Sequence, residues 1–244
     1  MYRFYINRDN IYNENIDITG KDVNHIKNVL RLVKGDWVIA CDGSGRDYIS
    51  RIVSISNDVV KLKTEKIQES GTELGRELVL FQGLPKGDKM EFIIQKAVEL
   101  GVSGIVPVIM KRCVVKFDNS KALKKQERWK KIAEAAAKQS GRGIVPEVKI
   151  PVTLKEAFDI AGSLEYNIIP YELQDGMEQS REIIKEACSK NSTGIFIGPE
   201  GGFEKEEIEE AINKGIKPVS LGKRILRTET AGMAVLSIMM FQMQ

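Results

Sequence analysis

Thr193-Gly-Ile-Phe-Ile-Gly-Pro-Glu-Gly-Gly-Phe-Glu204 decides the reading of this chain. Its first five residues are mostly apolar and strand-like, its middle is a glycine loop, and Glu204–Glu207 is the acidic start of a helix. The same rhythm recurs outward from it. Strands are expected at Leu78–Gln82, Ile105–Val108, Asn167–Tyr171, Thr193–Ile197 and Pro218–Leu221. Between them the apolar spacing predicts helices at Asp88–Leu100, Ser120–Ser140, Met177–Ser189, Glu204–Lys214 and Thr228–Met243. A further helix starts at the capping box Thr153-Leu-Lys-Glu156. Alternation over about 165 residues predicts an α/β domain built on a mostly parallel sheet covered on both faces.

The first seventy or so residues follow a different rule. Tyr2–Ile6, Trp37–Cys41, Tyr48–Ile55 and Val59–Lys63 are rich in β-branched residues, and Asp42-Gly-Ser-Gly45 and Ser56-Asn-Asp58 separate them as turns. A helical segment is expected near Asp22–Leu32. Short strands at hairpin spacing suggest a small β-barrel. Gln68–Arg76, with Gly71 and Gly75 and no apolar periodicity, reads as a linker, so the expected domains are 1–72 and 73–244.

Composition narrows the chemistry. Of 244 residues 42% are apolar and 29% charged, which is ordinary for a globular chain. No run is long and apolar enough for a membrane span, and the polar opening Met1-Tyr-Arg-Phe-Tyr-Ile-Asn7 does not resemble a secretion signal, so a cytoplasmic protein is expected. Three scattered cysteines argue against a disulfide framework. A single histidine, with no CxxC, argues against a metal site of the usual ligand sets and leaves few nucleophilic triads. Net charge is +3, but Lys111–Arg142 holds eleven Lys/Arg against Asp118, Glu127 and Glu134. That excess of +8 in 32 residues reads as a phosphate-facing patch, and the remainder of the chain carries −5.

In open α/β sheets ligands bind beyond the carboxyl ends of the strands. Ile197-Gly-Pro-Glu-Gly-Gly-Phe203 lies at such an end, with Glu200 its only ionisable side chain. It lacks the dinucleotide spacing, and Gly83–Lys89 does not fit a Walker loop, so a nucleoside without phosphates suits it better. An empty tight turn is the competing explanation. A second junction, Leu221-Gly-Lys-Arg-Ile-Leu-Arg-Thr-Glu-Thr-Ala231, sets cations around the apolar pair Ile225 and Leu226. Such a loop suits an adenine together with an anionic group. The last helix, apolar almost all round, is either buried in its own domain or covers a partner subunit.

These two loops resemble those of the RsmE family of SPOUT methyltransferases. The resemblance extends to His25-Ile-Lys-Asn-Val-Leu-Arg-Leu-Val-Lys-Gly-Asp36, Asp42-Gly-Ser-Gly45, Leu84-Pro-Lys-Gly-Asp-Lys-Met-Glu-Phe92, Lys96-Ala-Val-Glu-Leu-Gly-Val102 and Arg128-Trp129 with Gln139-Ser-Gly-Arg142. It departs at Lys111-Arg-Cys113, where Glu-Arg-Ser is expected. It implies a PUA-like barrel before a catalytic domain with a deep trefoil knot, and a homodimer. It also implies S-adenosylmethionine-dependent methylation of uridine N3 in 16S ribosomal RNA of the small subunit.

By position, the cofactor would sit on the loop after Tyr171-Glu172, on Ile197, Gly198, Pro199, Glu200, Gly201 and Gly202, and on Leu221, Gly222, Ile225, Leu226, Arg227 and Thr230. Arg227 is the first candidate for stabilising charge on uracil or holding the methionine carboxylate. Glu200 is the candidate for accepting the N3 proton or orienting the base. RNA contacts are expected from Arg3, Arg8, His25, Arg31, Lys86, Lys96 and Arg142. Two other functions fit the same residues. One is a SPOUT enzyme acting on ribose 2′-oxygen or another base, the other a non-catalytic ribosome-binding factor.

Overall fold

A computed structural model describes residues 1–114, 119–171 and 176–244. The chain divides into two compact units, Met1–Glu73 with Ala137–Val145, and Leu74–Ala136 with Pro146–Gln244.

In the first unit β1 (Tyr2–Tyr5) pairs in parallel with β4 (Trp37–Cys41). The other pairings are antiparallel, among β2 (Ile11–Tyr12), β3 (Asn15–Thr19), β5 (Arg46–Ile55) and β6 (Val59–Glu69), in the order β1-β4-β5-β6-β3-β2. Register shifts at Ile49/Ser50 and Ile52/Ser54 interrupt the β5–β6 ladder, and such irregularities bend a strand pair. Phe4, Ile16, Ile18, Val38, Ala40, Ile52, Val60 and Leu62 form one buried cluster inside the sheet.

The helical segment expected near residues 22–32 forms over 21–29, as α1 (Lys21–Asn24) running into a widened π-helical turn at His25–Val29. One expectation changes here. Strand β6 runs on to Glu69, because Arg46, Asp47 and Tyr48 pair with Glu69, Gln68 and Ile67. The polar stretch taken for linker therefore begins inside a strand.

The second unit follows the alternation of its sequence. Its strands are β7 (Glu77–Gly83), β8 (Gly104–Ile109), β9 (Glu147–Val148), β10 (Val152–Thr153), β11 (Tyr166–Pro170), β12 (Ser192–Ile197) and β13 (Lys217–Val219). They lie in the order β10-β8-β7-β12-β11-β13, with β9 beside β8, and every pairing is parallel. Helices α2 (Lys89–Glu99), α3 (Asn119–Ser140), α4 (Leu154–Ala161), α5 (Met177–Ser189), α6 (Lys205–Asn213) and α7 (Thr228–Met243) connect or follow the strands. The Thr153 box closes as expected, with Thr153 Oγ1 accepting from Glu156 N–H and Glu156 Oε2 accepting from Thr153 N–H. Asp88 does not cap α2 with its side chain; its carbonyl accepts from Glu91 N–H instead.

Phe81 and Phe196, on adjacent β7 and β12, stack at 4.3 Å between ring centres in the middle of the core. Helix α7 packs on α2, α5 and β12, burying Gly232, Val235, Leu236 and Met239. Its other side leaves Ile238 42% and Phe241 81% exposed.

Candidate active site

Strands β11, β12 and β13 are parallel neighbours, so their carboxyl ends share one edge of the sheet. Tyr171 follows β11, the glycine loop follows β12, and 220–227 follow β13. The three exits surround a cavity of about 480 Å³, inside the usual size range for a small-molecule site. Ile197, Gly198, Pro199, Glu200, Gly201 and Gly202 line it, as do Ile225, Leu226 and Arg227. A smaller lobe of about 80 Å³ shares Tyr171, Ile225 and Leu226 with it and adds Leu221 and Gly222.

The sequence thus brings together eleven of its expected cofactor residues. Thr230 does not line either lobe; it is exposed on the first turn of α7. Glu172 lies outside the described residues.

The glycine loop owes its path to two glycines, one within it and one on β7. Gly202 has φ +69°, which a side chain would strain. Gly83, at the end of β7, faces the loop so closely that a Cβ would sit 2.6 Å from Pro199 N. Beyond the loop, Glu207 is buried and both of its oxygens are used. Oε2 accepts from Glu204 N–H at 2.8 Å and Oε1 from Lys111 N–H at 2.9 Å.

The departure at Lys111-Arg-Cys113 is therefore mild. Position 111 contributes its backbone and an exposed ion pair from Lys111 to Glu206 at 3.4 Å, Arg112 binds Gly201 and Glu204, and Cys113 Sγ accepts from Met110 N–H at 3.3 Å.

Glu200 is held by Lys86 N–H at 3.1 Å and by the Lys89 ammonium at 2.9 Å. Burial alone would raise its carboxyl. The hydrogen bonds from Lys89, from its own N–H and from Lys86, with the Lys89 charge, outweigh burial and hold it below the usual carboxylate range. An anion so satisfied is a poor proton acceptor, and the geometry makes Glu200 a holder of the loop. Arg227 differs. It is exposed at the rim of the cavity and its side chain pairs with no group among the described residues.

Sequence reasoning left six residues lining the larger cavity out of the expected set, Pro170, Phe203 and Ala231 among them. Lys89, Tyr171 and Thr228 all border the cavity. Thr228 is buried and bonds to Gly198 O and Gln82. Only its place at a helix start could have signalled it.

The expected RNA contacts meet different fates. Arg8, His25, Arg31 and Lys86 are exposed, and Lys96 pairs with Glu99 at 2.8 Å. His25 borders a cleft of about 160 Å³ with Tyr2, Tyr5 and Lys138. Arg3 and Arg142 are occupied internally. Arg3 pairs with buried Asp47 at 2.6 Å and donates to Gly141 O. Arg142 is 4% exposed, and its Nε and Nη both donate to Glu73 Oε2. Neither guanidinium is open to a phosphate. On α3, Lys121, Lys124, Lys130 and Lys131 are exposed. No group of His, Cys, Asp and Glu among the described residues could hold a metal ion, and no helix among them is long and apolar enough to cross a membrane.

Residues 72–240 match the model of an RNA methyltransferase domain, and residues 18–65 that of an RNA methyltransferase PUA domain. The chain is 37% identical to the ribosomal RNA small subunit methyltransferase E of Bacillus subtilis, over 92% of this chain and 89% of that one. It is 34% identical to that of Mesomycoplasma hyopneumoniae, over 97% and 98%. The fold is similar to the crystal structure of the Neisseria gonorrhoeae ribosomal RNA small subunit methyltransferase E bound to S-adenosyl methionine. The TM-score is 0.83 at 32% identity, covering 99% of this chain and 97% of that one.

Proposed function

The chain belongs to the ribosomal RNA small subunit methyltransferase E family, and from that premise we propose that it methylates N3 of a uridine in 16S ribosomal RNA, with S-adenosylmethionine as donor. One observation carries the reading. Three strand exits, two of them glycine loops, converge on a cavity whose rim carries Arg227, a side chain that pairs with no group among the described residues.

The residues fit such a cofactor. Backbone groups of Gly198–Gly202 and 221–226 provide hydrogen-bonding edges, while Tyr171, Ile225 and Leu226 provide apolar faces for an adenine. When bound, the cofactor supplies an electrophilic methyl group on a sulfonium. Methylation of uracil N3 would exchange the S–C bond for an N3–C bond and pass the N3 proton to solvent water.

Positioning can supply much of the acceleration in such a displacement. Arg227 is placed to stabilise negative charge developing on uracil or to hold the carboxylate of the cofactor. Glu200 orients the loop, as its pairing with Lys89 requires. Exposed cations of α3, with Arg8, His25 and Arg31, hold RNA mainly through phosphates.

The finer features of the family follow as part of the same proposal. Loops 198–202 and 221–227 form the trefoil crossing, consistent with β13 pairing outside β11 while α7 returns to pack on β12. Ile238 and Phe241 are covered by a second copy of the chain, which works in the cytoplasm. Calorimetric titration with S-adenosylmethionine tests the pocket. Mass spectrometry of rRNA nucleosides from a deletion strain tests the product, which should be missing 3-methyluridine. Loss of a 2′-O-methyl mark instead would overturn the acceptor.

A further inference from the structure

The Gly198–Gly202 loop has little to support itself. Three of its five residues are glycine, whose backbone loses more freedom on ordering than any other. Gly202 N–H closes a turn onto Pro199 O at 2.9 Å. Two cations from different elements fasten it from outside. Lys89, first residue of α2, sets its ammonium 2.9 Å from Glu200 Oε1 and 3.9 Å from Glu229 Oε2 on α7. Arg112, beyond β8, donates Nη1 to Gly201 O at 2.6 Å, and forks Nε and Nη2 onto Glu204 at 2.9 and 3.0 Å. Its stem lies against the loop, where a Cβ on Gly201 would meet Arg112 Cβ at 3.1 Å.

We infer that Lys89 and Arg112 are positioning residues, an opposed pair of cations that hold the Gly198–Gly202 loop in its cofactor-receiving form and so set cofactor affinity. The inference rests on the cofactor reading above. Both side chains are more than a third exposed, at 37% and 41%, where ion pairs contribute little to fold stability. What they do instead is order a glycine-rich segment, alongside the Thr228 hydroxyl on Gly198 O and the Lys86 N–H on Glu200. A ligand meeting an ordered loop is spared the loss of that loop's freedom. The planar guanidinium reaches one carbonyl and two carboxylate oxygens at once, a geometry an ammonium cannot reproduce. At position 89 a single strong donor suffices, so arginine can replace lysine there.

The test uses the full chain and the variants Lys89→Met, Lys89→Arg, Arg112→Met and Arg112→Lys. Amide hydrogen exchange of the ligand-free protein reads the loop, and steady-state methylation of small-subunit rRNA reads KM and kcat separately. Lys89→Met and Arg112→Met should speed exchange at residues 198–204 and raise the KM for S-adenosylmethionine about tenfold. In both, kcat should fall less than about threefold and the melting temperature should move less than about 2 °C. Lys89→Arg should restore both readouts, and Arg112→Lys should not. Should Arg112→Met fail to fold, Glu204→Gln weakens the same fork from its acceptor end and should loosen the loop alike. Wild-type loop exchange in both Met variants overturns the proposal, as does a lowered melting temperature with unchanged KM. If the wild-type chain binds no S-adenosylmethionine, the cofactor reading falls, while loop exchange still decides whether the two cations order the loop.

Discussion

Thr228 Oγ1 donates a 2.6 Å hydrogen bond to the carbonyl of Gly198 and accepts one of 2.8 Å from Gln82 Nε2. One hydroxyl thereby ties the start of α7, the glycine loop after β12 and the end of β7, in a buried position. Thr228→Val keeps the shape and removes the hydroxyl. Because it strands a buried donor and weakens the fastening of Gly198, it should cost about 1–3 kcal/mol in denaturant unfolding and weaken S-adenosylmethionine binding. Unchanged stability and affinity together would show that the hydroxyl is dispensable.

Arg227 stands at the cavity rim without a protein partner among the described residues. Arg227→Ala should leave the fold intact, since it removes no side-chain hydrogen bond or ion pair among the described residues. It should lower kcat/KM by about a hundredfold or more, as expected when a donor to developing negative charge is deleted. Methylation at the wild-type rate with intact cofactor binding would remove Arg227 from the mechanism.

Gly83 lies on a strand adjacent to β12 and contributes only space to the site. Gly83→Ala puts a methyl group about where Pro199 N and Cδ stand, at 2.6 and 2.7 Å, so the loop must move. The backbone of Pro199 cannot yield as a flexible side chain would. Affinity for S-adenosylmethionine, followed by calorimetry, should fall at least about tenfold, a change of about 1.4 kcal/mol.

The pin between Glu73 and Arg142 makes stability depend on pH in a definite direction. Burial would raise the Glu73 carboxyl. The hydrogen bonds and charge of Arg142, with the N–H groups of Ile144 and Gly143, outweigh it and hold the group below its ordinary value of 4.5. A group with a lowered folded value stabilises the protein above its unfolded value, and that contribution is lost as pH falls through the folded value. Glu73→Gln should therefore be less stable than wild type at neutral pH, with the gap closing below about pH 4.5. Urea unfolding across pH 3–7 measures it, and a gap constant with pH would contradict the assignment.

Phe241, at 81% exposed, is the most open large apolar group on α7. If a second copy covers it, Phe241→Lys should shift the protein from dimer to monomer in sedimentation at micromolar concentration, with the fold retained. A wild-type chain that is already monomeric would reject the dimer.

Local order was legible wherever neighbours a few residues apart encode it. Trp37–Cys41, Met177–Ser189 and Thr228–Met243 are found at the boundaries their periodicity sets. The misreadings have specific causes. The β2–β3 hairpin turns through Asn13, a non-glycine residue at φ +56° that carries no glycine signal. Gln68 and Glu69 are strand residues only because Asp47 and Arg46 lie opposite, an effect of pairing that outranks their polar composition.

By itself the sequence determined the α/β alternation, the two glycine loops at strand ends and, through its motifs, the family. Those features are short-range: periods of two and 3.6 residues, turn chemistry, and a contiguous loop that must follow its strand. Only the tertiary structure decided how the polar side chains are spent. Glu200 meets Lys89 across 111 positions, and Arg142 meets Glu73 across 69. That made one expected proton acceptor a satisfied anion and one expected RNA contact an internal pin. A charged side chain takes the partner that folding brings within about 3 Å, and the partner's distance along the chain leaves no periodic trace for a sequence to show.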